Sequence, residues 1–408
     1  MEQHTSHLHR IRKPCPQCWF SLWSVCGLLL LLLLLATTTW AYRTDHGFLP
    51  EGTSQCDDHE PVTLSVPANA APVPDPVQGQ FSGGFFHVGE IRSGLFYMTD
   101  GVYQSLFLVD DRGIIMVDAP PSIGVNSQAP QDSVSLIDII YSVPATEGKP
   151  IVTLIYSHSH LDHIGAASQV KEAFPNVKII AQEETKLQIA RGSGTDGPFL
   201  PGISSVPPPL PNETFKTQRM VRVGHQNLVL SYDGPIHQPG NIFIYAPGQK
   251  ILMLVDVIFP GWSPFNDLAL AKDVPRFVAA HEKALTFDFT TFVGGHLNRL
   301  GTRADVEESQ RYILDIKANA KAALSDPSLF AIFGIVPPDA TVPLGLYNAL
   351  GAFGIFLDQV ACQCANRTLD AMLTPSGTDW RQRFGAADIN TVGHCWYMAE
   401  ALRIDSSF

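Results

Sequence analysis

From residue 81 onward the chain is a succession of short apolar runs set between turn residues. Phe85–Val88, Leu95–Met98, Val102–Val109 and Ile114–Val117 are β-branched or aromatic, and turns such as Asp111-Arg112-Gly113 separate them. Each is predicted as a strand. Asp132–Val143 has helical period, and Ile151–Tyr156 follows as a buried strand. A helix over Ile164–Phe174, a strand over Val177–Ala181 and a helix over Glu183–Arg191 come next. The second half repeats the alternation, with strands at Met220–Val223, Leu228–Tyr232, Ile242–Tyr245, Ile251–Val255 and Thr290–Val293. Val274–Leu285 and Ala304–Ala323 read as helices, and Asp305, Glu307 and Glu308 suit the first turn of the latter. From Asp339 the pattern is helical: Thr341–Phe356, a segment around Leu369, and His394–Leu402. The pattern describes an α/β chain in two halves with a helical C-terminal extension.

Upstream the pattern changes. Arg10, Arg12 and Lys13 precede an uncharged stretch, Pro14 to Tyr42, centred on Leu28 to Leu35. This is the layout of a targeting segment. It reads either as a signal peptide, with Thr39-Trp40-Ala41 as cleavage site, or as an uncleaved signal anchor long enough to span a bilayer. Bulky Trp40 and the length of the run favour the anchor. Both place the body outside the cytoplasm, secreted or membrane-anchored. The predicted organisation is a targeting segment (1–42), a Pro-rich linker (43–80), a catalytic domain (81–325) and a helical extension (326–408). Within the domain, Gly192–Pro211 is dense in Gly, Pro and Ser. A loop of that length is a candidate lid or substrate-facing loop, or a surface excursion.

The composition narrows the partners. At 408 residues, 45% hydrophobic and 16% charged, the chain is globular rather than disordered. A formal net charge of −12 argues against nucleic acid, which wants a basic face. The expected partner is a small-molecule substrate, together with the membrane if the N-terminal segment is retained. Cys56, Cys362, Cys364 and Cys395 are an even set beyond the targeting segment, suited to an oxidising compartment. Cys362 and Cys364 are too close for an easy mutual bridge, so each is expected to pair elsewhere. Asn212-Glu213-Thr214 and Asn366-Arg367-Thr368 are glycosylation sequons.

The chemistry concentrates in Ser157-His158-Ser159-His160-Leu161-Asp162-His163, directly after a predicted strand. Three imidazoles and a carboxylate within six residues supply the ligand types that bind zinc and similar metals. Four further residues fall at the ends of predicted strands or in adjacent turns. Asp118 follows Ile114–Val117, and His237 lies in His-Gln-Pro-Gly-Asn. Asp256 follows Ile251–Val255, and His296 follows Gly294-Gly295. Alone, each reads as an ordinary turn residue; together they can converge at one sheet edge. Asp118 is placed to orient ligands from behind.

This ordered set resembles the metallo-β-lactamase superfamily, over roughly Phe81 to Tyr312. The resemblance implies an αββα sandwich with metals at one edge. It implies that His158, His160 and His237 hold one ion and that Asp162, His163 and His296 hold a second, with Asp256 bridging both. The expected cofactors are two Zn2+, with iron or manganese as alternatives. The implied reaction is hydrolysis of an ester, lactone, thioester or amide by a hydroxide shared between the metals, with Asp162 orienting it and handling its proton. Asp256 separates the chain from the lactam-cleaving members and makes it look more like glyoxalase II and the lactonases. No basic cluster for a glutathione thioester is evident. The alternatives are an iron-dependent oxidoreductase of the persulfide dioxygenase kind, a β-lactamase-type amide hydrolase, and a binding module with structural metals.

Overall fold

The computed structural model describes residues 86–192, 207–297, 299–331 and 343–405. The chain divides into Met1–Ser54 and Gln55–Phe408, and every described residue lies in the second unit. The expected targeting segment and linker, Cys56 and residues 193–206 of the expected loop lie outside the described residues. Among the described residues no helix is long and apolar enough to cross a membrane.

Seven strands form the first sheet in chain order: β1 (His87–Arg92), β2 (Leu95–Thr99), β3 (Gln104–Asp110), β4 (Gly113–Val117), β5 (Ile151–Ile155), β6 (Lys178–Gln182) and β7 (Glu213–Phe215). β1 to β4 are an antiparallel meander. β4 to β7 run parallel. The second sheet holds β8 (Gln218–Val223), β9 (Gln226–Ser231), β10 (Phe243–Ala246), β11 (Ile251–Leu254) and β12 (Thr291–Val293), in the order β12-β11-β10-β9-β8. Only β11 and β12 are parallel there. The predicted strands all appear. β7, with a single apolar residue, gave no run to read.

Alternation along the strands makes three layers of core. Leu95, Tyr97, Leu106, Leu108, Ile115 and Val117 meet Leu228, Leu230, Ile244, Ile251 and Met253 between the sheets. The intervening Phe96, Met98, Phe107 and Met116 point outward, against helices that include α1 (Leu136–Tyr141), α3 (Ala167–Ala173) and α4 (Glu183–Gly192). Leu252, Leu254, Phe243 and Phe292 do the same on the other sheet. There they meet α5 (Val274–Leu285) and α6 (Arg303–Leu324). Strands β2, β4 and β11 are therefore buried on both faces, which is why they read as continuous apolar runs. Each such side chain contributes about 1.5–3 kcal/mol. α6 opens with a Thr302–Asp305 capping box, and of the three acidic residues expected in its first turn only Asp305 lies there.

The C-terminal helices α7 (Pro343–Leu369), α8 (Trp380–Arg383) and α9 (Ala387–Ile404) add to the second outer layer. Val360, Ala361, Trp380 and Met398 belong to the same apolar cluster as Leu252 and Phe292. A Cys364–Cys395 disulfide ties α7 to α9, and Cys362 is also disulfide-bonded. The first helix of the extension runs to Leu369, well past the predicted Phe356. Of the sequons, the Asn212 amide is bonded to the backbone of Val177 and Ile179, and Thr368 is buried against Asn319.

One local feature runs against every propensity. In the turn Asn266–Leu270, residues Asp267, Leu268, Ala269 and Leu270 have φ of 56°, 53°, 53° and 58°. Left-handed backbone costs about 1–2 kcal/mol for each L-residue. Packing holds the turn: Leu268 and Ala269 are fully buried. Helix α9 approaches it at Gly393, where a Cβ would lie 2.1 Å from Asn266 Oδ1.

Candidate metal centre

The eight residues singled out above come together at one edge of the sandwich. β4 ends at Val117, and Asp118 follows with φ of 59°. Its Oδ1 accepts the Ser157 N–H at 2.7 Å, while the next residue's N–H donates to His163 O at 2.7 Å. Asp118 and Ala119 thus fix the two ends of the segment that β5 delivers. Within that segment the one-turn helix α2 (Leu161–Ile164) carries Asp162 and His163. His237 sits in the turn between β9 and β10. Asp256 follows β11 with φ of 65°, a conformation that Asp tolerates better than most residues. The Gly294-Gly295 turn after β12 presents His296. A Cβ on Gly295 (φ +87°) would meet Val255 Cγ1 at 2.6 Å, so the turn requires glycine there.

The side chains form two groups whose ligand atoms lie within 4.8 Å of one another: His158, His160, His237 and Asp256, then Asp162, His163 and His296. Asp256 faces both. Its Oδ2 lies 3.3 Å from Nε2 of His158 and of His237. Its Oδ1 lies 3.3 Å from His163 Nε2 and 2.8 Å from His296 Nε2. His160 Nδ1 is 3.1 Å from His237 Nε2, and His163 Nε2 is 3.1 Å from His296 Nε2. Asp162 Oδ2 stands 3.7 Å from His163 Nε2. Behind the ligands, His237 Nδ1 donates to Ala269 O at 2.5 Å and His296 Nδ1 to Val102 O at 3.1 Å. Carbonyls only accept, so each bond places a hydrogen on Nδ1 and turns Nε2 toward Asp256.

These residues fit metal ions. His158 Nε2 and Asp256 Oδ1 are buried with no hydrogen bond of acceptable geometry. Buried polar atoms of that kind are costly unless something satisfies them. Imidazole and carboxylate donors suit zinc, iron and manganese.

The electrostatics differ between the groups. Burial pushes the His158 and His237 imidazoles down to about 3, and lowers His160 as well. Burial acts the same way on His163, but the carboxylates of Asp256, Asp162 and Asp118 outweigh it and raise that ring to about 9. Burial would raise Asp256, yet His163, His296 and His237 hold it well below the usual carboxylate range. Burial raises Asp118 to about 6 against the opposing effects of His163 and Ser157.

Several residues at the site gave no local signal in the sequence. Tyr103 pairs with His296 as an isolated bridge, its ring 4.8 Å from the His296 ring and 5.6 Å from that of His163. Burial and then the Asp162 charge push its hydroxyl up to about 12. Phe259 and Phe265 stand 5.7 and 6.3 Å from the His296 ring. Only the folded topology brings these rings to the two His and Asp groups.

Residues 98–296 match the family model described as the metallo-beta-lactamase superfamily. The 2,4-dinitroanisole O-demethylase subunit alpha of Nocardioides sp. (strain JS1661) is 30% identical over 217 residues, 52% of this chain and 58% of that protein. The chain thus spans little more than half of that relative's length. Probable metallo-hydrolase YqgX of Bacillus subtilis (strain 168) is 26% identical over 165 residues, 40% of this chain and 75% of that protein. A solved metallo-beta-lactamase from Pontibacter korlensis is 18% identical and covers 55% of this chain and 97% of its own, with a TM-score of 0.43. Two facing sheets clothed in helices, the His and Asp groups gathered at one edge and the match over residues 98–296 identify a metallo-β-lactamase superfamily domain in this chain.

Proposed function

We propose that the centre is a two-metal hydrolase site that cleaves an ester, lactone, thioester or amide in a small molecule. The observation that carries this reading is Asp256, one buried carboxylate with a different oxygen turned to each ligand group. Two divalent ions, zinc before iron or manganese, would supply Lewis acidity and activation of water at neutral pH. His158, His160 and His237 would hold one ion, Asp162, His163 and His296 the other, and Asp256 both.

The chain's own part follows from position. Asp162 is the most open of the acidic ligands, with 26% of its side chain exposed. It is hydrogen-bonded to Tyr103. Its carboxylate is placed to take a proton from the attacking water and return it to the leaving group. Tyr103, Phe259 and Phe265 favour an apolar or aromatic group beside the scissile bond. The Cys364–Cys395 bridge supports a domain that works in an oxidising compartment, outside the cytoplasm.

Metal analysis of the purified protein tests the centre. Near two zinc per chain is expected, and a single iron per chain refutes the hydrolase in favour of an oxidoreductase. A panel of p-nitrophenyl esters, lactones, a chromogenic cephalosporin and 2,4-dinitroanisole tests the reaction. The last is included because it is named in a relative's activity. Asp162→Asn should abolish turnover, and an unchanged rate rules out the role given to Asp162.

A further inference from the structure

Helix α9 reaches the metal centre through hydrogen bonds joined by the turn at residues 265–269. His394 is fully buried in that helix. Its Nε2 lies 3.1 Å from Phe265 O, and its Nδ1 lies 3.0 Å from the Tyr312 hydroxyl of α6. The carbonyl can only accept, so Nε2 carries the hydrogen and Nδ1 accepts from Tyr312. Burial pushes the imidazole down to about 4, which keeps the ring neutral and this assignment in force at pH 7. Phe265 O also accepts the Ala269 N–H at 2.9 Å. Ala269 O in turn takes the Nδ1–H of His237. The peptide that sets the His237 ring therefore sits in a left-handed turn whose first carbonyl is gripped from α9.

Neighbouring contacts hold the same segment. Asn390 Nδ2 donates to Ser263 Oγ at 3.1 Å, and the Ser263 N–H donates to Gly385 O at 3.1 Å. Trp262 and Gly385 form an isolated parallel bridge. The turn does not lie in a conformation its own residues prefer, so it stays where it is only while the surroundings over-determine it.

We infer that the C-terminal helices are a positioning layer for the metal centre, in which His394 acts through Phe265 and the 266–270 turn to orient His237. The inference rests on the two-metal reading. It gives the extension a role beyond covering the second sheet. His394 touches no metal ligand itself; it holds the Phe265 carbonyl, which takes the N–H of Ala269, the residue whose own carbonyl sets the ring. Residues that orient ligands from behind change metal affinity by about 10–100-fold when removed.

Cobalt(II) titration of the full-length protein, followed by absorption, tests this without turnover. His394→Leu keeps the volume and removes both hydrogen bonds. It should weaken one of the two cobalt constants about 10–100-fold and leave the other unchanged. His394→Gln can donate to Phe265 O and accept from Tyr312, and it should recover most of the loss. Asn319→Ala is the control, because it removes a buried bond to Thr368 between α6 and α7, away from the turn. Equal weakening in Asn319→Ala and His394→Leu would show general loosening and overturn the inference. So would unchanged cobalt binding in His394→Leu. If His394→Leu does not fold, Tyr312→Phe is read instead: a smaller shift of the same constant supports the inference, and no shift overturns it. Wild type binding a single cobalt refutes the two-metal reading, while the His394→Leu shift at that ion still decides this one. Wild type binding none refutes both.

Discussion

The two ligand groups should answer pH differently, because only one of them holds a proton near neutrality. His163 is raised to about 9 while His158 and His237 are lowered to about 3. A metal takes imidazole only in its neutral form. At pH 7 the His163 proton, held between His296 Nε2 and Asp256 Oδ1, must leave before that ring can ligate. Two pH units below its pKa, that departure costs about 3 kcal/mol, roughly a hundredfold in apparent affinity. The ion at Asp162, His163 and His296 should therefore bind about tenfold more tightly per pH unit from 7 to 9. The ion at His158, His160 and His237 should show no such rise.

Calorimetric zinc titration in buffers of different ionisation enthalpy counts the protons. The second ion should release about one more than the first at pH 7. Asp256→Asn keeps the shape, tolerates the left-handed backbone and removes the charge that most raises His163, so the steep rise should move to lower pH. The metal-free protein supplies an independent check of sign. A folded pKa above the unfolded 6.5 gives stability that is fully present below 6.5 and lost as pH rises through 9, about 3 kcal/mol in all. Equal proton release at both ions, or an affinity for the second ion that is flat from pH 7 to 9, would refute the reasoning.

Three other outcomes follow from single contacts. Asp118→Ala removes the acceptor of the Ser157 N–H and puts Ala at φ 59°, so denaturation should show a loss of about 2–3 kcal/mol. Asp118→Asn keeps both bond and backbone and should cost less; equal losses would place the effect in the charge alone. His281 and His394 are buried neutral, each lowered to about 4. Their stability is complete above pH 6.5 and falls as pH drops from 6.5 to about 4, by up to about 3 kcal/mol each. Urea denaturation of His281→Gln should show a shallower acid slope than wild type, and an identical slope contradicts the assignment. Cys364→Ser opens a bridge spanning 31 residues and should cost about 3–4 kcal/mol if chain entropy dominates; an unchanged Tm speaks against that account.

What could be read in the sequence was what is local. Ile114–Val117 and Ile251–Val255 announced themselves because strands buried on both faces have no polar residue to interrupt them. His158–His163 was legible because three imidazoles and a carboxylate fall within six consecutive residues. Asp118, His237, Asp256 and His296 were legible only as polar residues stranded at strand ends, and meaning came from their order. The left-handed turn was not legible at all. Asp-Leu-Ala-Leu favours a right-handed helix, and nothing within the turn asks for φ near +55°. The reason lies more than 120 residues downstream, in His394 bonded to Phe265 O and in helix α9 pressed against Asn266. One signal was nonetheless present there. Gly393 sits inside a helix, where glycine costs about 1 kcal/mol relative to alanine. A helical glycine beside a fully buried histidine argues for a backbone approached closely by something polar, and here that something is the turn that carries the partner of His237.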